Sequence, residues 1–273
     1  MKKITLTAFA FLTLSFLNAQ ALDPANRPKT ALKLTKQTKV TMNQKITAEG
    51  QDMSTRMDNT TTGVYDVSAI TPQGGSAEIK ITAMKSSVES DAGEMSYDSQ
   101  NPDEGNLQLG EGIKSAMKSP IKITLDANGF IATIKGSEKM ESMLKSSGNS
   151  LTKGNPLDIF LKLDKAVKVN DTWKDISDSK EIKSTSNYTY KSFENGLATI
   201  EMITALTIDQ DVEQMGNKVH TRLEGKMVST LVVDVKTLII KNKSTTTVMN
   251  GTADAQGQSI PISIFSTTTE TVE

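Results

Sequence analysis

The feature that most constrains the fold is an apolar residue at every second position along most of this sequence. Apolar residues fall on even positions from Leu32 to Ile46 and on odd positions from Met53 to Val67. Because neighbouring side chains of a β-strand point to opposite faces, this period predicts strands with one apolar and one polar face. Glu49-Gly50-Gln51 separates the two runs, so the pair predicts a long hairpin.

The alternation recurs in later runs, which are separated by segments rich in Gly, Asn, Asp and Pro. Asn195-Gly196 is the strongest of these turn signals, because both residues accept the positive φ angles of a tight hairpin. The pattern predicts about ten strands. Short connections between them favour antiparallel pairing. The remaining turns are predicted at residues 72–75, 126–129, 216–217, 234–237 and 251–258.

One region departs from this period. Met140, Met143 and Leu144 follow the i, i+3, i+4 spacing of a helix. Asn155-Pro156 has the form of a helix N-cap followed by proline, and Leu157, Phe160 and Leu161 repeat the helical spacing. These residues predict a short helical insertion near 138–163.

The expected fold class is therefore mainly β. Strands that are apolar on one face must cover that face. Two arrangements do so: a long antiparallel meander curled into a half-open barrel around the helical insertion, or two packed sheets. We expect residues 22–273 to form a single β-rich domain. A faint similarity between residues 44–67 and 210–233 leaves open two similar β halves, about 30–135 and 165–273.

The first 21 residues have the three parts of a secretory signal peptide. Lys2 and Lys3 provide a positive start, residues 4–17 are uncharged and mostly apolar, and Ala19 and Ala21 suit signal peptidase. The apolar run is shorter than the roughly 18 residues of a membrane-spanning helix. No later stretch reaches that length either. We therefore expect a bacterial protein that is periplasmic or secreted, with no membrane-spanning helix after cleavage.

The composition excludes several functional classes. The chain contains no Cys, which rules out disulfides and thiol catalysis. Its formal net charge is −1 with mixed signs, which does not favour nucleic-acid binding. His220 is the only histidine and is expected to face solvent, so no zinc site is predicted. The sequence therefore predicts no catalytic residue, no cofactor site and no metal site.

Several short segments resemble an uncharacterised exported family common in Bacteroidota, the domain-of-unknown-function 6263 family. Val167-Lys168-Val169-Asn170-Asp171-Thr172-Trp173 resembles its V-x-V-G-D-x-W element, with Asn170 where glycine is usual. Segments 94–99, 125–129 and 260–261 resemble further elements of that family. The resemblance implies one exported β-rich domain and no known activity.

Three functions remain open. The first is a non-enzymatic binding protein with an apolar, lipid-like groove, because a curled sheet closed by a helix would enclose one. The second is a structural or adhesion module of the cell envelope, built on long Thr-rich strands. The third is a hydrolase that uses carboxylates such as Asp98 and Asp103. For the groove, the candidate ligand-contacting residues are Trp173, Met140, Met143, Leu144 and Phe160.

Overall fold

The computed structural model describes residues 21–48, 50–91, 93–101, 117–136, 151–179, 181–214, 217–255 and 258–273. Within these residues the chain forms twelve strands. Their bounds are β1 Leu32–Ala48, β2 Gln51–Val67, β3 Gly75–Ser90, β4 Gly93–Asp98, β5 Ile121–Leu125, β6 Ile131–Lys135, β7 Thr172–Asp178, β8 Ile182–Glu194, β9 Leu197–Gln214, β10 Asn217–Asp234, β11 Ile240–Ala255 and β12 Gln258–Val272.

All twelve strands belong to one open antiparallel sheet. Eleven follow the order β6-β5-β3-β2-β1-β12-β11-β10-β9-β8-β7, and β4 pairs with β3 beside this path. Strands β1 and β12 pair with each other, with Lys36 opposite Val272, and they lie at the middle of the sheet. The prediction of a mainly β, antiparallel fold is confirmed, and the arrangement is one sheet rather than two packed sheets.

The strands are longer and more numerous than the alternation predicts. The hairpin of β1 and β2 is confirmed, with 17 residues in each strand. Strands β4 and β7 were not predicted. The turn predicted at 251–258 is displaced, because β11 continues to Ala255 and β12 begins at Gln258. Gly251 lies inside the ladder between Leu223 and Ile262, where a Cβ would collide with the Arg222 carbonyl oxygen.

The predicted helix is wrong where it can be compared with the structure. Residues 151–163 are not helical. From 154 to 167 the chain crosses one face of the sheet without regular secondary structure, and we call this stretch the crossing segment. It contains a turn in which the Phe160 N–H donates to the Leu157 carbonyl at 2.9 Å. The helical spacing of Leu157, Phe160 and Leu161 therefore misled the prediction: all three are buried, but so are Ile159 and Leu163, and the backbone is not helical. The first part of the predicted helix, 138–150, lies outside the described residues.

Backbone hydrogen bonds explain why the crossing segment is not helical. Leu161 N–H donates to the carbonyl of Leu238, and Ile240 N–H donates to the carbonyl of Ile159, both at 2.9 Å. At the other end of the segment, Val167 and Leu22 exchange two bonds of 2.9 Å. A helix would use these groups internally, whereas here they bond to the start of β11 and to the N-terminal residues.

The crossing segment also links two apolar clusters of the core. Leu157, Ile159 and Phe160 pack with residues of β1, β2, β3, β5 and β6. Leu161 and Leu163 pack with Leu22 and with residues of β8, β9 and β10. One short stretch therefore covers part of the apolar face on both halves of the sheet. We call that face the inner face.

Candidate functional site

The crossing segment covers only one end of the inner face. Beside it, Tyr65, Ile79 and Ile200 are 2%, 1% and 0% exposed. Farther along the same or neighbouring strands, the inward-facing side chains of Met42 and Leu206 are only half-buried. We call the first region the covered end and the second the open end. Among the described residues, the crossing segment does not reach the open end.

The open end has an apolar cluster of its own. Leu223, Met249 and Ile262 form its buried centre on β10, β11 and β12. Partly buried apolar residues pack around them: Ile46, Leu206, Ile208, Ala253 and Ile264. At the middle of this cluster Gly225 lies opposite both Met249 and Leu206. A Cβ there would collide with the Val248 carbonyl oxygen, so only glycine lets the neighbouring strand approach this closely.

A belt of polar residues separates the two ends on the inner face. Thr38, Thr61, Ser229 and Thr245 are all buried. The hydroxyl oxygens of Ser229 and Thr245 lie 2.8 Å apart and form a hydrogen bond with each other. Buried hydroxyls paired in this way avoid most of the cost of leaving water.

Four ionised side chains form a buried ion cluster at the edge of the covered end. Lys36 Nζ lies 2.7 Å from Asp158 Oδ2 and 2.6 Å from Glu270 Oε2. Lys243 Nζ lies 2.7 Å from Glu270 Oε1. The side chains of Lys36 and Glu270 are only 3% and 6% exposed. The Tyr65 hydroxyl also donates to Asp158 Oδ2, at 3.1 Å. The cluster ties the crossing segment, through Asp158, to the central strands β1 and β12.

The ion pairs overcome the effect of burial on two pKa values. Burial alone would raise the pKa of Glu270, but the ammonium groups of Lys243 and Lys36 hold it below its ordinary value. Burial would likewise lower the pKa of Lys36, but Asp158 and Glu270 raise it above its ordinary value. Burial, with the negative charge of Asp158, raises the pKa of Tyr65 well above normal. Lys36 and Glu270 are therefore charged at neutral pH, and Tyr65 is neutral.

Beside the ion cluster lies a cavity of about 310 Å³, between the crossing segment and the inner face of the C-terminal strands. Its apolar lining includes Leu161, Tyr188, Leu206 and Met227. All four residues of the ion cluster contribute to its wall as well. Because Leu206 lines the cavity and also packs against the open-end cluster, the cavity and the open end meet at this residue.

A second ion pair lies in the cavity wall. Lys162 Nζ lies 2.8 Å from Asp175 Oδ1 and donates to Asn155 Oδ1 at 2.9 Å. Lys162 and Asp175 are each 28% exposed. Nearby, burial together with the charge of Asp175 raises the pKa of Tyr188 to about 12.

One oxygen of Asp158, a residue that lines the cavity, has no donor in the described part of the chain. Asp158 Oδ2 accepts bonds from Lys36 and Tyr65, but Asp158 Oδ1 is buried and has no hydrogen-bond partner among the described residues. A buried acceptor without a donor is costly, so this oxygen favours a ligand that brings one.

The predicted groove residues have different positions. Phe160 lines the cavity and is 4% exposed. Trp173 does not line the cavity. Its ring stacks on that of Tyr188, which does line the cavity, and the two ring centroids are 5.0 Å apart. Asn170 has a φ of 75°, the left-handed conformation expected where the related element has glycine. Met140, Met143 and Leu144 lie outside the described residues.

Sequence reasoning missed the ion cluster, although a signal for it was present. Lys36 lies between Leu34 and Thr38 at positions that share the inward face of β1, and Glu270 precedes Val272 in the same way on β12. A charged residue at an inward position of an alternating strand indicates either a buried pair or a site. The partner Asp158 was not recognised because its segment was assigned to a helix.

The lone histidine lies on the opposite face of the sheet. His220 Nδ1 is 3.0 Å from Asp211 Oδ1, and its Nε2 is 3.2 Å from Asp209 Oδ1. The ring is 32% exposed. Sequence reasoning had found no neighbour for this residue, and the structure places two carboxylates beside it.

In the part of the chain that the structure describes, no group of three or more His, Asp or Glu side chains is arranged to hold a metal ion. The helices among the described residues include none long and apolar enough to cross a membrane.

Comparison with known proteins finds one family model that matches part of the chain. Residues 159–240 match the model of DUF6263, a family of unknown function. The matched stretch runs from the crossing segment to the start of β11 and contains the 167–173 element. No curated protein matches the sequence.

The similar solved structures are distant. A lipovitellin structure concerned with lipid–protein interactions has 12% identity and a TM-score of 0.47, over 90% of this chain. The chain spans only 25% of that lipovitellin chain. OccK7 of Pseudomonas aeruginosa has 6% identity and a TM-score of 0.24, over 89% of this chain and 99% of its own. Similarities at these scores do not identify a fold or a function.

Proposed function

We propose that this protein is an exported, non-enzymatic binding protein that holds an amphiphile with an apolar chain against the inner face. The observation that carries the proposal is that the cavity and the open end meet at Leu206. Both are lined by apolar side chains that the crossing segment leaves partly accessible.

The size and lining of the cavity suit a small ligand. At about 310 Å³ it lies at the lower end of the range for small-molecule sites, roughly 300–1,000 Å³. Covering partly exposed apolar side chains such as Leu206 and Met227 is favourable, by about 25 cal/mol for each Å² removed from water. An apolar chain that lies along the open end would gain this free energy.

The position of the charges indicates how such a ligand would lie. The ion cluster and the Lys162–Asp175 pair are at the crossing segment, whereas the open-end cluster is apolar. An amphiphile therefore fits with its polar end at the crossing segment and its chain toward the far ends of β9, β10 and β11.

Two further observations support a non-enzymatic, exported role. The charged groups of the cavity wall form pairs with one another, such as Lys162 with Asp175 and Lys243 with Glu270, rather than a free acid or base beside a nucleophile. The first 21 residues have the pattern of a signal peptide, which favours the periplasm or the cell exterior.

Neighbouring residues of β10 provide a matched test. Met227 is an inward-facing residue of the cavity wall, and Val228 faces outward with 41% of its surface exposed. Binding of the uncharged dye Nile red, measured by fluorescence titration, should fall at least about tenfold in Met227→Glu, because burying a carboxylate next to an apolar ligand is costly. Val228→Glu should bind the dye as the wild type does.

Native mass spectrometry of protein purified from the bacterial periplasm gives an independent measurement. We expect an additional mass of an amphiphile on the wild-type protein and its loss in Met227→Glu. A wild-type protein that carries no such mass and does not bind Nile red, or an equal loss of binding in both variants, would contradict the proposal.

A further inference from the structure

We infer that the cavity selects an amphiphile whose polar end is zwitterionic or uncharged and donates hydrogen bonds, over one with an anionic end such as a fatty acid. This inference rests on the proposed function and names the class of ligand.

The first step is the charge balance of the cavity wall. Among the described residues, three lysines and three carboxylates line it: Lys36, Lys162, Lys243, Asp158, Asp175 and Glu270. Every one of them takes part in an ion pair of 2.6–2.8 Å with another member of the set. The six formal charges sum to zero, so this described part of the wall offers no uncompensated positive charge to an anion.

The second step is the cost of adding a charge to this environment. Lys36, Glu270 and Asp158 are 3%, 6% and 12% exposed, so water screens them poorly. A carboxylate head that enters would lose its hydration and repel the three carboxylates as strongly as it attracted the lysines. A zwitterionic or uncharged head can align its dipoles with the existing pairs and leaves no net charge buried.

The third step is the unpartnered oxygen. Asp158 Oδ1 can only accept a hydrogen bond, and no described group donates one. A hydroxyl or primary ammonium group that reaches this buried oxygen supplies the missing donor, whereas a fatty-acid carboxylate would set acceptor against acceptor. The charge balance and this oxygen therefore favour the same class of head group.

The experiment compares four probes of equal chain length, each below its micelle-forming concentration. Monolauroylglycerol is uncharged with hydroxyl donors, lauroyl lysophosphatidylethanolamine is zwitterionic with an ammonium donor, laurate is anionic, and dodecyltrimethylammonium is cationic without a donor. Trp173 is the only tryptophan and stacks on Tyr188 of the cavity wall, so its fluorescence should report binding. Calorimetry provides the affinities independently.

We expect the first two probes to bind at least about tenfold more tightly than laurate or dodecyltrimethylammonium. Two variants of the less buried pair should then shift the preference in opposite directions. Asp175→Asn leaves one positive charge in excess and should tighten laurate binding, whereas Lys162→Gln leaves one negative charge and should tighten binding of the cation. Lys191→Gln, at an exposed pair outside the cavity wall, should change neither affinity.

The outcomes separate this inference from the function on which it rests. If none of the four probes binds by fluorescence or by calorimetry, both the groove and its selectivity are wrong. If all four bind equally, if laurate binds most tightly, or if the two variants shift the preference in the same direction, the groove stands and the inferred head-group class is wrong.

Discussion

The covered end and the open end of the inner face arise from the same sequence pattern and differ in what lies on them. Along β1, Leu34 and Lys36 are buried under the crossing segment, whereas Met42 and Ile46 on the same face are half-buried. Alternation decides which side of the sheet a residue faces. The crossing segment decides which inward residues become core, and so which remain available to a ligand.

The largest expected effect tests whether the ion cluster holds the covered end together. Lys36→Met removes the cation shared by Asp158 and Glu270 and leaves Asp158 without an ionic partner among the described groups. We expect the free energy of unfolding to fall by about 3–5 kcal/mol, because breaking a buried ion pair leaves an uncompensated charge. Urea unfolding followed by circular dichroism measures this change.

The same strand supplies the control. Lys45 on β1 lies 2.7 Å from Asp52, but both side chains are about half exposed, at 54% and 52%. Lys45→Met should leave the unfolding midpoint almost unchanged, since exposed pairs contribute little. Equal losses in the two variants would mean that burial of the ion cluster does not distinguish the two ends.

A smaller effect compares apolar residues at the two ends. Ile159 in the crossing segment is 0% exposed, so Ile159→Ala should destabilise the fold by about 2–5 kcal/mol through lost burial and a cavity. Met42→Ala at the open end should cost less than about 1 kcal/mol, because its side chain is already partly in water. Urea unfolding again measures both changes. A Met42 variant as unstable as the Ile159 variant would show that the open end is ordinary core.

Residues of the long strands show what could be predicted from the sequence. Both strands of the first hairpin, from Leu32 to Val67, could be predicted because their alternation is long and a single turn fixes which residues pair. The crossing segment could not be assigned in this way. Its apolar residues fit a helical spacing, and its non-helical form depends on bonds to Leu238 and Ile240, about 80 residues later.

The candidate site was less predictable for a related reason. Lys36, Asp158 and Glu270 lie far apart in the sequence and meet only because β1 pairs with β12 and the crossing segment lies over them. Local pattern can mark Lys36 as a charged residue at an inward position but cannot name its partners. Phe160 and Trp173 were chosen as large aromatic residues; Phe160 lines the cavity and Trp173 lies behind Tyr188, and their contact with a ligand stays a prediction.

The smallest expected effect is on how stability depends on pH in acid. It compares the buried ion cluster with an exposed ion pair. The pKa of Glu270 in the folded protein is below its ordinary value of 4.5, so the unfolded chain binds protons more readily. Stability from this group is therefore complete above about pH 5 and is lost as the pH falls through the folded-state pKa. Glu270→Gln should be less stable than the wild type at pH 7 and lose less stability between pH 5 and pH 3.

Glu201→Gln, at an exposed pair with Lys191, should keep the wild-type pH dependence, as measured by urea unfolding at each pH. If the wild type and Glu270→Gln lose stability in parallel, other titrating groups cause the acid sensitivity. The ion cluster would then not account for the pH dependence of stability.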